Sequence, residues 1–152
     1  MTPPKPIYSY VAAAALAFVT VFTFYVLRNF GPQSAIRRFH VAAWNGNIGQ
    51  INTVSLQPFS SSTPTGALVA FVQELVQVNA TYDIQSIRFL PKTSGRDPEV
   101  IASVEYVAPN GRRKYVAWHV VELPGEWRVD CRATWDELVA QSLRAGNGMT
   151  PG

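Results

Sequence analysis

The chain has two histidines, His40 and His119, and a single cysteine, Cys131, so acid–base or nucleophilic chemistry has few places to reside. A general base needs a substrate proton within hydrogen-bond reach and a pKa moved toward the working pH. His119 lies in an alternating run with Tyr115, Ala117 and Val121 on the same side, where a hydrogen-bonded, partly buried histidine is the plainer role. Asp130 falls between Arg128 and Arg132 on one side of another alternating run, which suits a solvated ladder of ion pairs better than an acid catalyst. Cys131 has no second cysteine to pair with, and two histidines are too few to complete a zinc site with it. It follows Trp127 and Val129 at two-residue spacing, as a small buried hydrophobe does. No serine, histidine and aspartate spacing of a hydrolase is present, and no glycine-rich phosphate loop. No cofactor or metal is expected.

The other residues able to bind a ligand have structural roles that are at least as economical. Arg112, Arg113 and Lys114 follow a turn and could meet phosphates of lipid or nucleic acid, but three cations at a loop end also serve to keep a sheet edge soluble. Trp44, Trp118, Trp127 and Trp135 could line a cavity, or simply fill a core or a protein interface. Thirteen Lys and Arg stand against ten Asp and Glu, and without Lys5 the remainder is nearly neutral. That is not the balance of a nucleic-acid binder.

The element that must position all of these is the stretch Ile7–Leu27, which carries no charge. About 20 apolar residues in a helix cross a hydrocarbon core of roughly 30 Å, so it reads as a transmembrane helix, taken as residues 7–28 with Met1–Pro6 as a short tail. Tyr8, Tyr10 and Tyr25, with Arg28, fall near its ends, where amphipathic rings and cations settle at headgroup depth. A cleaved signal peptide is the alternative, with Ala12–Ala17 as the cleavage region. Against it, the apolar run is longer than such a region and ends on Phe24, Tyr25, Val26 and Leu27. The expected location is the cell's inner membrane, as a single-pass protein. Arg28, Arg37 and Arg38 outnumber Lys5 and the terminal amine, which favours a cytoplasmic domain. A short amino tail ahead of a long domain favours export, and the balance tilts slightly to an extracytoplasmic domain.

About 125 residues remain, enough for one domain with one core, expected over 32–146 with a loose tail at 147–152. Gly31-Pro32 opens a helix with Ala35, Ile36, Phe39, Ala42 and Ala43 on its apolar face, closed by Asn45-Gly46. Asn47 caps a second, short helix with Ile48, Ile51 and Val54 or Ser55 inward, ending before Pro58. Thr63-Pro64 starts a third, whose broad face of Leu68, Val69, Phe71, Val72, Leu75 and Val76 predicts the most buried helix of the set. Past Asn79 the period changes to two. Strands are expected from Thr81 to Leu90, with Tyr82, Ile84, Ser86, Arg88 and Leu90 on one side, then over Glu99–Val107, Arg112–Leu123 and Glu126–Ala133. A long turn at Pro91–Pro98 separates the first two; Asn110-Gly111 and Pro124-Gly125 make the later turns. Thr134 and Glu137 form a capping box ahead of a final helix with Trp135, Leu138, Val139 and Leu143 inward, ended by Gly146. The fold class is therefore α+β: three helices on a curved four-stranded antiparallel sheet, plus a C-terminal helix.

The segment Ala35-Ile36-Arg37-Arg38-Phe39-His40-Val41-Ala42-Ala43-Trp44-Asn45-Gly46-Asn47 and the segment Glu122-Leu123-Pro124-Gly125-Glu126-Trp127-Arg128-Val129 resemble the first helix and the last hairpin of the nuclear transport factor 2-like superfamily, a cystatin-like α+β cone. The resemblance spans about Pro32–Ala133, and the membrane anchor and final helix depart from it. It implies a cone whose cavity, in the superfamily's isomerases and dehydratases, carries a Tyr, Asp or His that moves a proton. The counterparts here would be among Tyr82, Asp83, Tyr106, His119 and Asp130, none matching a catalytic motif, and Tyr82, Tyr106, Trp118 and His119 are the pocket candidates. Two functions follow. One is a non-enzymatic interaction module, an accessory subunit of a membrane protein complex, in contact with membrane lipid and other subunits, or a homodimer paired through its sheets. The other is a tethered pocket that binds or isomerises a small apolar ligand between the third helix and the sheet. A regulator of envelope traffic or secretion is a weaker third.

Overall fold

The computed structural model describes residues 6–91 and 95–147 and, within them, the side chains of all but residues 6, 27–29 and 147. The two expected tails apart from Pro6 and Asn147, which are the first residue of one helix and the last of another, part of the Pro91–Pro98 turn, and Arg28 as an interfacial side chain lie outside the described residues.

Helix α1 (Pro6–Phe30) contains Ile7–Val26, a 20-residue run of mean hydropathy 1.9 with none of its length buried against the rest of the chain. By length and composition it can cross a membrane, at about 30 Å for 20 residues. Gly31 interrupts it and Pro32 starts α2 (Pro32–Trp44), because proline fits the first turn, where no N–H is needed. The five predicted apolar residues of α2 are all fully buried. The helix ends in a left-handed cap: Gly46, at φ +62°, donates to the Ala43 carbonyl (3.2 Å), and Asn47 to that of Ala42 (3.0 Å). Asn47 then accepts from the Gln50 N–H (3.1 Å) and so opens α3 (Ile48–Val54). Thr63 caps α4 (Pro64–Gln77) through the Gly66 N–H.

Helix α2, not α4, is the most deeply buried, with seven buried residues against five. Counting apolar residues misses this because α2 packs against β3 and β4 of the sheet as well as against α3 and α4. Its burial therefore takes in the small Ser34 and the polar His40 as well.

Strands β1 (Thr81–Phe89), β2 (Glu99–Val107), β3 (Arg113–Leu123) and β4 (Glu126–Val129) form one antiparallel meander in the order β1-β2-β3-β4. Its inner face carries Val100, Ala102, Val104 and Tyr106 on β2 and Val116, Trp118 and Val120 on β3, all at most 3 % exposed. In β1 the regular alternation fails. A bulge between Ile84 and Ser86 shifts the register, so Ile87 and Phe89, not Ser86 and Arg88, follow Tyr82 and Ile84 on the inner face.

The largest correction concerns the last strand, which stops at Val129; helix α5 (Cys131–Asn147) begins where Cys131 to Ala133 were expected to continue the sheet. The Asp130 N–H makes a last sheet bond to the His119 carbonyl (2.9 Å) while its carboxylate accepts from the Ala133 N–H (3.1 Å), the geometry of an N-cap. Gln57 locks the joint, donating to the Asp130 carboxylate (2.9 Å) and accepting from the N–H groups of Cys131 (3.0 Å) and Arg132 (3.3 Å). Thr134 is no cap: it is fully buried inside α5 and accepts from the His119 N–H (3.0 Å). Helix α5 thus takes over the edge of β3 that a longer β4 would have covered. Of its expected inner stripe, Leu138 is buried and Trp135 half-buried, but Val139 and Leu143 are exposed, and the helix runs past Gly146.

Gly66 is fixed by close approach. A Cβ there would sit 2.1 Å from the Ser60 carbonyl oxygen, in the loop that Thr63 also holds. Gly66→Ala is expected to destabilise the domain by about 2 kcal/mol through forced displacement of that loop, read as a lower urea midpoint at unchanged m-value.

Candidate functional site

Tyr106 points inward from β2, opposite Tyr82 on β1 and Lys114 on β3. Trp118 points the same way from β3, and His40 meets both from α2. The polar atoms form a single relay. Trp118 Nε1–H donates to the Tyr106 hydroxyl (2.9 Å), and that hydroxyl lies 2.8 Å from His40 Nε2. The other ring nitrogen, Nδ1, is 2.8 Å from the Ile36 carbonyl oxygen. A carbonyl only accepts, so the proton is assigned to Nδ1, and Nε2 accepts a hydrogen bond from the Tyr106 hydroxyl.

The rings around this relay are stacked and closed. The His40 ring lies 4.1 Å from that of Tyr82, nearly parallel, and 4.8 Å from Trp118. Phe39 and Phe71 meet Trp118 and Tyr106 edge-on at 5.5 and 5.7 Å, and Lys114 Nζ lies 5.2 Å from the centre of the Phe71 ring. His40, Tyr106 and Trp118 are each at most 5 % exposed, whereas Tyr82, at 37 %, forms the outer wall. Burial drives the His40 pKa down to about 4 and holds the Tyr106 hydroxyl well above its ordinary value, with Tyr82 raised for the same reason. The imidazole is therefore neutral at pH 7 and both its nitrogens are engaged, an arrangement that joins helix to sheet and leaves no free lone pair toward a substrate.

Of the four pocket candidates, Tyr82, Tyr106 and Trp118 come together and His119 does not. His119 lies on the opposite face of the sheet, its Nδ1 bonded to the carboxylate of Glu99, the first residue of β2. The residue that completes the cluster is His40, which sequence reasoning passed over. Its signal was position: it follows Ile36 by four residues on the apolar stripe of α2, where a solvated histidine does not belong. Asp83 is exposed on the outer face beside Gln85 (3.0 Å). Asp130 caps α5 in place of the expected ladder, while Arg128 pairs with Glu126 (2.8 Å).

A second polar cluster, also missed, surrounds Glu105 on the outer face. Its carboxylate accepts from Tyr115 (2.8 Å), Arg113 (3.1 Å) and Gln85 (3.2 Å), so Arg113 is tied to Glu105, while Lys114 lies over the Phe71 ring on the inner side. Cys131 is fully buried, and burial pushes its thiol up to about 11, which suits core packing. Tyr8, Tyr10 and Tyr25 are exposed along α1. Among the described residues, no three of His, Cys, Asp and Glu gather where a metal could be held.

Two measurements probe the relay. Tyr106→Phe strands the Trp118 N–H and His40 Nε2 and is expected to cost about 2 kcal/mol in chemical denaturation. The unfolded chain takes up a proton on His40 near its ordinary pKa of 6.5, and the folded chain only near 4. Stability should therefore fall as the pH drops, by about 2 kcal/mol between pH 7 and pH 5 from this group. In His40→Gln, that part of the pH dependence should vanish. In comparisons with known proteins, no family model and no curated protein sequence matches the chain.

Proposed function

We propose that the chain is a single-pass membrane protein whose folded part is a nuclear transport factor 2-like interaction module, acting as an accessory or structural subunit of a larger membrane assembly. The observation that carries this reading is the closed interior. The relay that a proton-moving enzyme of this architecture would leave open to a substrate is covered by Phe39, Phe71 and Tyr82 and satisfied internally.

Apolar surface is instead found outside. A groove of about 440 Å³ runs between α4 and α5, lined by Phe71, Trp135, Val139 and Leu143. Leu143 is 64 % exposed, as is Trp44 at 66 % beside a second hollow at the end of α4. Exposed side chains of this size beside shallow grooves suit a protein partner better than a small ligand.

The test begins with the anchor. The mature chain should keep Ile7–Val26 and resist alkaline extraction from membranes. Extracted in mild detergent, it should sediment as a particle of several subunits, and Leu143→Asp should reduce that to the mass of one chain with an unchanged melting temperature. A particle of two copies alone would replace the accessory role by self-association. A single chain in gentle detergent, with or without the substitution, would refute the assembly role.

A further inference from the structure

Where α1 gives way to α2, the chain forms a second kind of surface. A groove of about 520 Å³ is bounded by Phe24 of α1, Pro32, Gln33 and Arg37 of α2, and Ile87 and Phe89 of β1. Phe24 and Phe89 in its lining are 72 and 69 % exposed, and Phe30, which precedes the lining residue Gly31 in the chain, is 67 % exposed, unusual for three phenylalanines outside a core. The bulge in β1 is what turns Phe89 to this side.

Depth and charge both point to one occupant. Phe30 lies four residues beyond Val26, about 6 Å along the helix at 1.5 Å per residue, which is the depth of the headgroup layer outside the hydrocarbon. Arg37 forms the polar wall of the groove and also borders, with Arg38, a neighbouring hollow of about 420 Å³. Neither guanidinium has a carboxylate partner among the described residues. A cation without a carboxylate partner, Arg37, on the wall of a groove lined also by Phe24 and Phe89 near headgroup depth, matches a negatively charged amphiphile.

We propose that this groove seats an anionic phospholipid of the surrounding membrane, with its phosphate at Arg37 and its acyl chain against Phe24, Ile87 and Phe89. The proposal rests on the membrane-anchored reading given above. A bound lipid would brace the joint at Gly31 and set the domain against the bilayer surface.

The full chain is reconstituted into phosphatidylcholine vesicles, with and without phosphatidylglycerol, and its flotation is measured first. Trace spin-labelled phosphatidylglycerol or phosphatidylcholine then reports the motionally restricted lipid at the protein. The wild type should restrict phosphatidylglycerol in preference to phosphatidylcholine. In Arg37→Gln that preference should fall about fivefold, the effect of one cation near an anionic surface. Arg144→Gln, on the exposed face of α5, should leave it unchanged, and Phe89→Ser should reduce restriction of both lipids. A chain that floats but shows the same preference in Arg37→Gln as in the wild type overturns the lipid site and leaves the anchor standing. A chain that does not float overturns both.

Discussion

The hydrogen-bonded relay from Trp118 through Tyr106 to His40 is the constraint around which the domain is arranged. It crosses from two neighbouring strands to the most buried helix, and it does so where unsatisfied polar atoms are expensive. Each of its members can be oriented in only one way: indole only donates, a carbonyl only accepts, so the hydroxyl must accept from the indole and donate to Nε2 while Nδ1–H donates to the carbonyl. Rotating α2 by one residue, or slipping β2 against β3, would strand at least two of these atoms. Hydrophobic packing alone would tolerate either change more easily, so the relay is what selects one packing from several of similar apolar burial.

Much of the architecture was readable from the sequence because its signals are local. Gly31-Pro32, Asn47 and Thr63-Pro64 mark the helix starts through the backbone groups they satisfy or omit, and the apolar stripe of α2 is buried to the last residue. The turns at Asn110-Gly111 and Pro124-Gly125 coincide with glycines at positive φ. What was not readable depended on partners distant in the chain. The alternation from Glu126 to Ala133 is a sound strand pattern, yet Gln57, more than seventy residues earlier, supplies the bonds that let a helix begin at Cys131. The bulge in β1 is likewise invisible to a period-of-two count, because the residue it skips is an ordinary glutamine.

The candidate site divides along the same line. Tyr82 and Tyr106 are counterparts that the resemblance implies and Trp118 a cavity candidate; register pairs the two tyrosines, and Trp118, four residues along β3 from the partner of Tyr106, reaches it through its indole N–H. His119 failed as a member because parity on β3 puts it on the face opposite Trp118. His40 was missed because a histidine within a helical apolar stripe reads as an interruption until its two partners are known. The cationic run after the Asn110-Gly111 turn behaves similarly: it looks like free charge, but Glu105 on the outer face and Phe71 on the inner side draw in two of its three members.

The takeover of the β3 edge by α5 makes the two flanks of the sheet unequal. On the β4 side the chain has closed its own border, with Ser55 bridging to Val129, the Leu56 N–H bonded to the Val129 carbonyl, and the helix running on beyond. On the β1 side, nine residues of backbone border the sheet with no strand beyond them among the described residues. Lateral extension of the sheet, by whatever chain, is thereby left a single direction, which gives an otherwise near-symmetric meander a handed inside and outside for assembly.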